Sequence, residues 1–214
     1  MSLKKLFLGS MAGALFASSA FAQVNAVPQL GLATGYLPKV TYSSAFFGLV
    51  PAASTTDLVC IAASATKTVR LQRIEIGGTG TAVSLPIQLL RRAALDTGGT
   101  AASTTANPGI TTQIASRDTS LATNLSASAT LVSYTANPTI NDSSPVYIDS
   151  NLFGVVATTV GSPTPMSIFD YTYAVEDLLQ VPTLVKGSTQ QLCVNFGGVS
   201  TTSSLNGTIV WTEE

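Results

Sequence analysis

The sequence predicts an all-β fold, an antiparallel β-sandwich of jelly-roll type. Short runs with an apolar residue at every second position recur along the chain, at a spacing of roughly 8–15 residues. They are separated by Gly, Pro and Asn, the residues that turns require. Only residues 174–180 have a helical look, and that segment is short.

Taken in order, the chain opens with an export signal over residues 1–22. Lys4 and Lys5 precede an apolar run, and Ala20-Phe21-Ala22 is a small-x-small cleavage site that leaves Gln23 as the new N-terminus. The apolar run is shorter than the roughly 20 residues of a permanent span. No second long apolar stretch follows, so the mature chain of 192 residues is expected to carry no membrane span. Residues 23–53 read as an extended arm, rich in Pro and Gly, and a first strand over 40–47. Residues 54–214 read as the sandwich.

Within it, residues 57–61 are strand material, followed by a small-residue turn at 62–65. Val69 and Leu71 share one parity, Ile74 and Ile76 the other, which predicts a β-bulge near Gln72 and Arg73. Gly77-Gly78-Thr79-Gly80 reads as a turn. Val83, Leu85, Ile87 and Leu89 form a half-buried strand, and Pro86 within it argues for an edge position or a bulge. Residues 94–128 read as long loops with one weak strand at 110–115. Further strands are expected at 129–135, 146–148, 152–157, 166–173, 183–185, 190–196 and 208–212.

Composition narrows the function. Only 10% of residues are charged, against about 25% in ordinary soluble domains. Without Lys4 and Lys5 the mature chain has 8 basic and 11 acidic residues, net −3. That is no electrostatic footprint for nucleic acid. The chain has no histidine, which excludes Ser-His-Asp and Cys-His mechanisms. The glycines at 77–80 open no helix and lack a Gly-Lys-Ser/Thr ending, so they are not a phosphate loop. Asn141, Asp142, Asp149 and Asn151 are the one cluster of hard oxygen donors, at a spacing that matches no calcium loop. No catalytic, cofactor or metal residue is assigned. Seven aromatic residues (Tyr134, Tyr147, Phe153, Phe169, Tyr171, Tyr173 and Trp211) are expected to fill a core, sugar stacking being the alternative.

Cys60 and Cys193 are the only cysteines. Export places them in an oxidising compartment, and each lies within a strand candidate. A disulfide between them is expected, with a stabilising role, since no Cys-x-x-Cys and no neighbouring base is present.

Four segments stand in a familiar order: Ser64-Ala-Thr-Lys-Thr-Val-Arg70, Thr97-Gly-Gly-Thr100, Ser133-Tyr-Thr-Ala-Asn-Pro138 and Trp211-Thr-Glu-Glu214. Over residues 55–214 the chain resembles small β-sandwich structural proteins of tailed phages and prophages, decoration- or fibre-like, and exported bacterial relatives. The resemblance implies a non-enzymatic, oligomeric component, a trimer first, with a virion or cell-surface partner and no cofactor. The export signal points to a secreted, periplasmic or cell-surface location. A secreted carbohydrate-binding module or glycan-active enzyme is the alternative.

Overall fold

A computed structural model describes residues 40–51, 57–102, 112–117, 127–157, 166–171, 181–197 and 202–214. The export signal with its cleavage site at Ala20, Ala22 and Gln23, the arm over 23–39 and the helical-looking segment at 174–180 lie outside the described residues. So does Tyr173.

The described residues form strands and connections only. Twelve strands run β1 (Val40–Leu49), β2 (Asp57–Ala62), β3 (Val69–Gly80), β4 (Val83–Arg92), β5 (Thr100–Ala101), β6 (Thr112–Ser116), β7 (Leu131–Ser133), β8 (Val146–Ala157), β9 (Met166–Asp170), β10 (Thr183–Leu184), β11 (Gln191–Asn195) and β12 (Ser204–Glu213). Two antiparallel sheets pack face to face as a β-sandwich. One has the order β6-β1-β12-β3, with β10 and β9 sharing the far side of β3. The other runs β5-β7-β2-β11-β4-β8. At its end β8 crosses to the first sheet, where Val156 and Ala157 pair in parallel with Thr79 and Gly80.

The core between the sheets follows from the alternation of side chains along each strand. Tyr42 and Phe46 of β1, Leu71, Ile74 and Ile76 of β3, and Ile209 and Trp211 of β12 meet Val59, Ile61, Leu85, Ile87, Leu192 and Val194 from the other sheet. Tyr42 stacks on its cross-strand neighbour Trp211 with ring centroids 5.8 Å apart. The bulge stands where the parity change puts it. Leu71 pairs with Trp211 and Arg73 with Val210, leaving Gln72 as the extra residue.

Three expectations need correction. Gly77–Gly80 is strand, not turn: β3 runs to Gly80, with Gly77–Thr79 paired to β12 and Gly80 to β8. A Cβ on Gly78 would stand 2.5 Å from Leu205, and one on Gly80 would stand 2.7 Å from Ser203. Glycine lets the two backbones approach that closely. Residues 149–151 do not break β8, which is continuous from Val146 to Ala157. Pro86 lies in an interior strand, since β4 has β11 on one side and β8 on the other. It is tolerated there because the pairing of β11 starts at Gln88, two residues further on, so no ladder bond on that side needs its missing N–H.

Another close approach involves Gly207, which pairs with Phe46 and with Ile76. A Cβ there would lie 2.3 Å from the Glu75 carbonyl oxygen and 2.5 Å from the Phe46 ring. Gly207→Ala is therefore expected to destabilise the domain by about 1–3 kcal/mol through overpacking. Urea unfolding checks it, and an unchanged midpoint would contradict the tight crossing of β1, β12 and β3.

Candidate functional site: a buried charge cluster over a cross-strand disulfide

At its central strands β2 and β11 the second sheet buries both of its faces. Register sets Val132, Cys60, Cys193 and Leu90 in one cross-strand row on β7, β2, β11 and β4. Their neighbours Val59, Ile61, Leu192, Val194 and Leu89 alternate to the other side and enter the main core. The row therefore faces away from that core. Cys60 and Cys193 lie directly opposite each other with Cα atoms 4.1 Å apart and are joined by a disulfide. That spacing is near the ~4.5 Å of a non-hydrogen-bonded antiparallel pair. The bond is nonetheless buried: Cys60, Cys193 and Tyr134 form a second small cluster with Val132 against it.

Among the described residues, Asp96, Gly99 and Tyr134 pack on this face, carried by the connections 93–99 and 134–145. Thr97 and Thr139 bridge the two segments, and Asn141 donates from its side chain to the Leu95 carbonyl oxygen. Beneath them sits a group of charges. The Arg92 Nε and Nη2 donate to the Asp57 carboxylate at 2.6 and 3.0 Å, and Nη1 donates to the Asp142 carbonyl oxygen. Asn195 Nδ2 also donates to Asp57 Oδ1, at 2.7 Å. Asp96 approaches the same Arg92 Nε at 3.4 Å, and its Oδ1 accepts from the Asn141 backbone N–H. The side chains of Asp57 and Asp96 are fully buried.

These charges perturb one another. Burial raises Asp96 most, and the neighbouring Asp57 carboxylate adds to it, so its pKa reaches about 7. Burial opposes the charge on Arg92, but Asp57, Asp96 and Asp142 outweigh it and strengthen its hold on the proton. Tyr134 is pushed upward by burial, then by Asp96 and Asp57. Asp57 accepts hydrogen bonds from Arg92 Nε and Nη2 and from Asn195 Nδ2.

Carboxyl oxygens of Asp57 and Asp96 and the sulfurs of Cys60 and Cys193 all lie within 4.8 Å of one another. Two sulfurs and two oxygens could in principle hold a soft divalent ion. Here the sulfurs are bonded to each other and Arg92 is already bound to Asp57, so these groups form a closed structural cluster and not a metal centre.

The hard-oxygen residues singled out in the sequence are spent separately. Asp142 caps the backbone N–H groups of Ala93 and Ser144, which lower its pKa. Asp149 accepts from the Ser150 N–H and the Tyr171 hydroxyl. Asn151 takes the Leu152 N–H and donates to the Ile168 carbonyl oxygen. Another buried carboxylate, Glu213, accepts from the backbone and hydroxyl of Ser128, from the Ala129 N–H and from the Trp211 indole. Burial alone would raise its pKa; these donors lower it instead.

Of the aromatic residues, Tyr134, Phe153, Phe169 and Trp211 are buried and Tyr171 is half-buried. Tyr147 stands out at 65% exposed. No family model, no curated protein and no solved structure matches the chain. Fold and site together define a disulfide-bridged β-sandwich whose buried charges are engaged internally. Among the described residues no helix is long and apolar enough to cross a membrane.

Proposed function

We propose that this is an exported, non-catalytic structural or interaction protein that works through surface contacts and self-assembly. The observation that carries the reading is the terminal strand of the second sheet. β8 shows Val146, Tyr147 and Leu152 to solvent at 49%, 65% and 68% exposure. Large apolar side chains gathered on an outer strand are what a contact surface uses. Low charge over the whole chain favours the same reading, as does the order of motifs resembling phage structural proteins. The location consistent with the N-terminal signal is outside the cytoplasm, on the cell surface or in the periplasm.

Sedimentation of the mature protein at high micromolar concentration tests the proposal. An oligomer is expected, a trimer by the resemblance, and Tyr147→Glu with Leu152→Glu should shift it toward monomer. A wild-type monomer under those conditions would overturn it. The exposed ring of Tyr147 is the one observation that favours the polysaccharide reading. Reproducible binding on a glycan array, lost in Tyr147→Ala, would displace the assembly role.

A further inference from the structure

We infer that the buried Asp57–Asp96 carboxyl pair is a one-proton latch, which holds the cover over the Cys60–Cys193 disulfide closed when protonated and releases it when Asp96 ionises. The geometry assigns the two carboxyls different states. Asp57 receives three hydrogen bonds, two from Arg92 and one from Asn195. Asp96 Oδ2 is buried with no N–H or hydroxyl donor on it, and its hydrogen-bond neighbour is the Asp57 carboxyl, a contact that requires a proton between the two. It lies beside Asp57 and 3.4 Å from an Arg92 nitrogen that already serves Asp57. One guanidinium cannot neutralise two buried carboxylates. A proton on Asp96 removes the surplus charge.

The groups facing Asp96 come from every element around it. They are Asp57 on β2, Arg92 on β4, Tyr134 after β7 and Asn141 in the cover, with Asn195 of β11 on Asp57 and Asp142 on Arg92 behind them. Asp142 keeps its charge at all relevant pH, because backbone donors lower its pKa. Tyr134 keeps its proton there, because burial raises it. Asp96 is the group raised to about 7.

The sign follows from the raised value. A carboxyl at about 7 in the closed domain and 3.8 in open chain stabilises closure at low pH and loses that contribution as pH rises through about 7. Asp96 is also the anchor of the cover, through Asn141. Surplus buried charge on ionisation therefore favours opening of the connections that carry Asp96 and Asn141, and the Asp96 carboxyl itself lies within 4.8 Å of the disulfide sulfurs.

The test is the rate at which a trialkylphosphine reduces the disulfide in the full-length mature protein. The phosphine attacks one sulfur, the S–S bond breaks, and water supplies the oxygen of the phosphine oxide and the two protons of the thiols. Rates are normalised to oxidised glutathione at each pH. Between pH 5.5 and 8.5 the wild-type rate is expected to rise roughly ten- to thirtyfold, as a carboxyl of these two pKa values requires. Asp96→Asn, a neutral isostere, should react slowly at both pH values, and Tyr134→Phe should keep the wild-type slope. A flat wild-type profile overturns the latch. So does an Asp96→Asn profile as steep as wild type, or a slope abolished by Tyr134→Phe. Should Asp96→Asn not fold, hydrogen-exchange protection of residues 93–99 and 139–142 in wild type decides. Protection factors must drop through pH 7, and constant ones refute it.

Discussion

Replacing Arg92 with methionine is expected to destabilise the domain by about 3–5 kcal/mol, the cost of leaving buried charge without its partner. Methionine keeps the aliphatic stem and removes only the guanidinium. Asp57 then loses two of its three short hydrogen bonds, and the cover loses the bond to the Asp142 carbonyl oxygen. For a domain of this size each kcal/mol moves the melting temperature by about 2–4 °C, so a drop on the order of 10 °C should appear in thermal unfolding. Adding Asp57→Asn to Arg92→Met should recover part of the loss, because the stranded charge is gone. A single-variant loss under about 1 kcal/mol would show that water reaches the cluster and that the pair is not buried in solution.

The second large effect belongs to the disulfide. Cys60→Ala together with Cys193→Ala opens a closed loop spanning 133 positions. Chain entropy alone assigns such a loop roughly 4–5 kcal/mol, a large fraction of the 5–15 kcal/mol that typically separates folded from unfolded states. The cysteines sit at the exchange point of β2 and β11, in the middle of the second sheet. The loss should therefore appear as a lower guanidinium midpoint for the whole transition and not as local fraying. A midpoint equal to that of the oxidised wild type would mean that the bond contributes nothing.

The strand pattern was largely written in the apolar alternation, down to the extra residue at Gln72, because a sheet with one buried face forces a two-residue period. It became illegible where the pattern depends on a neighbour. Gly77, Gly78 and Gly80 have turn chemistry in isolation, and only the approach of Leu205 and Ser203 explains why they lie in a strand. Asp149 and Asn151 look like a break, yet their side chains serve backbone N–H groups of β8 itself. The charge cluster was hidden for a different reason. Asp57, Arg92, Asp96 and Asn195 are scattered in sequence and meet because β11 lies between β2 and β4. Two signals were present: Asp57 heads an apolar strand, and Arg92 closes another. Asp96 heads the run Asp96-Thr-Gly-Gly-Thr100, turn chemistry that suits its backbone but says nothing of its carboxyl.

The position of β12 has a consequence for how the chain reaches this state. It lies between β1 and β3, so Val40 and Val69 both pair with Glu213. Neither β1 nor β3 has its main partner until residues 204–213 have emerged from the ribosome. Most pairings of the first sheet thus join distant parts of the chain, the topology that folds in milliseconds to seconds and not microseconds. The first sheet is therefore completed late, because its central ladder cannot form before β12 is available to both neighbours.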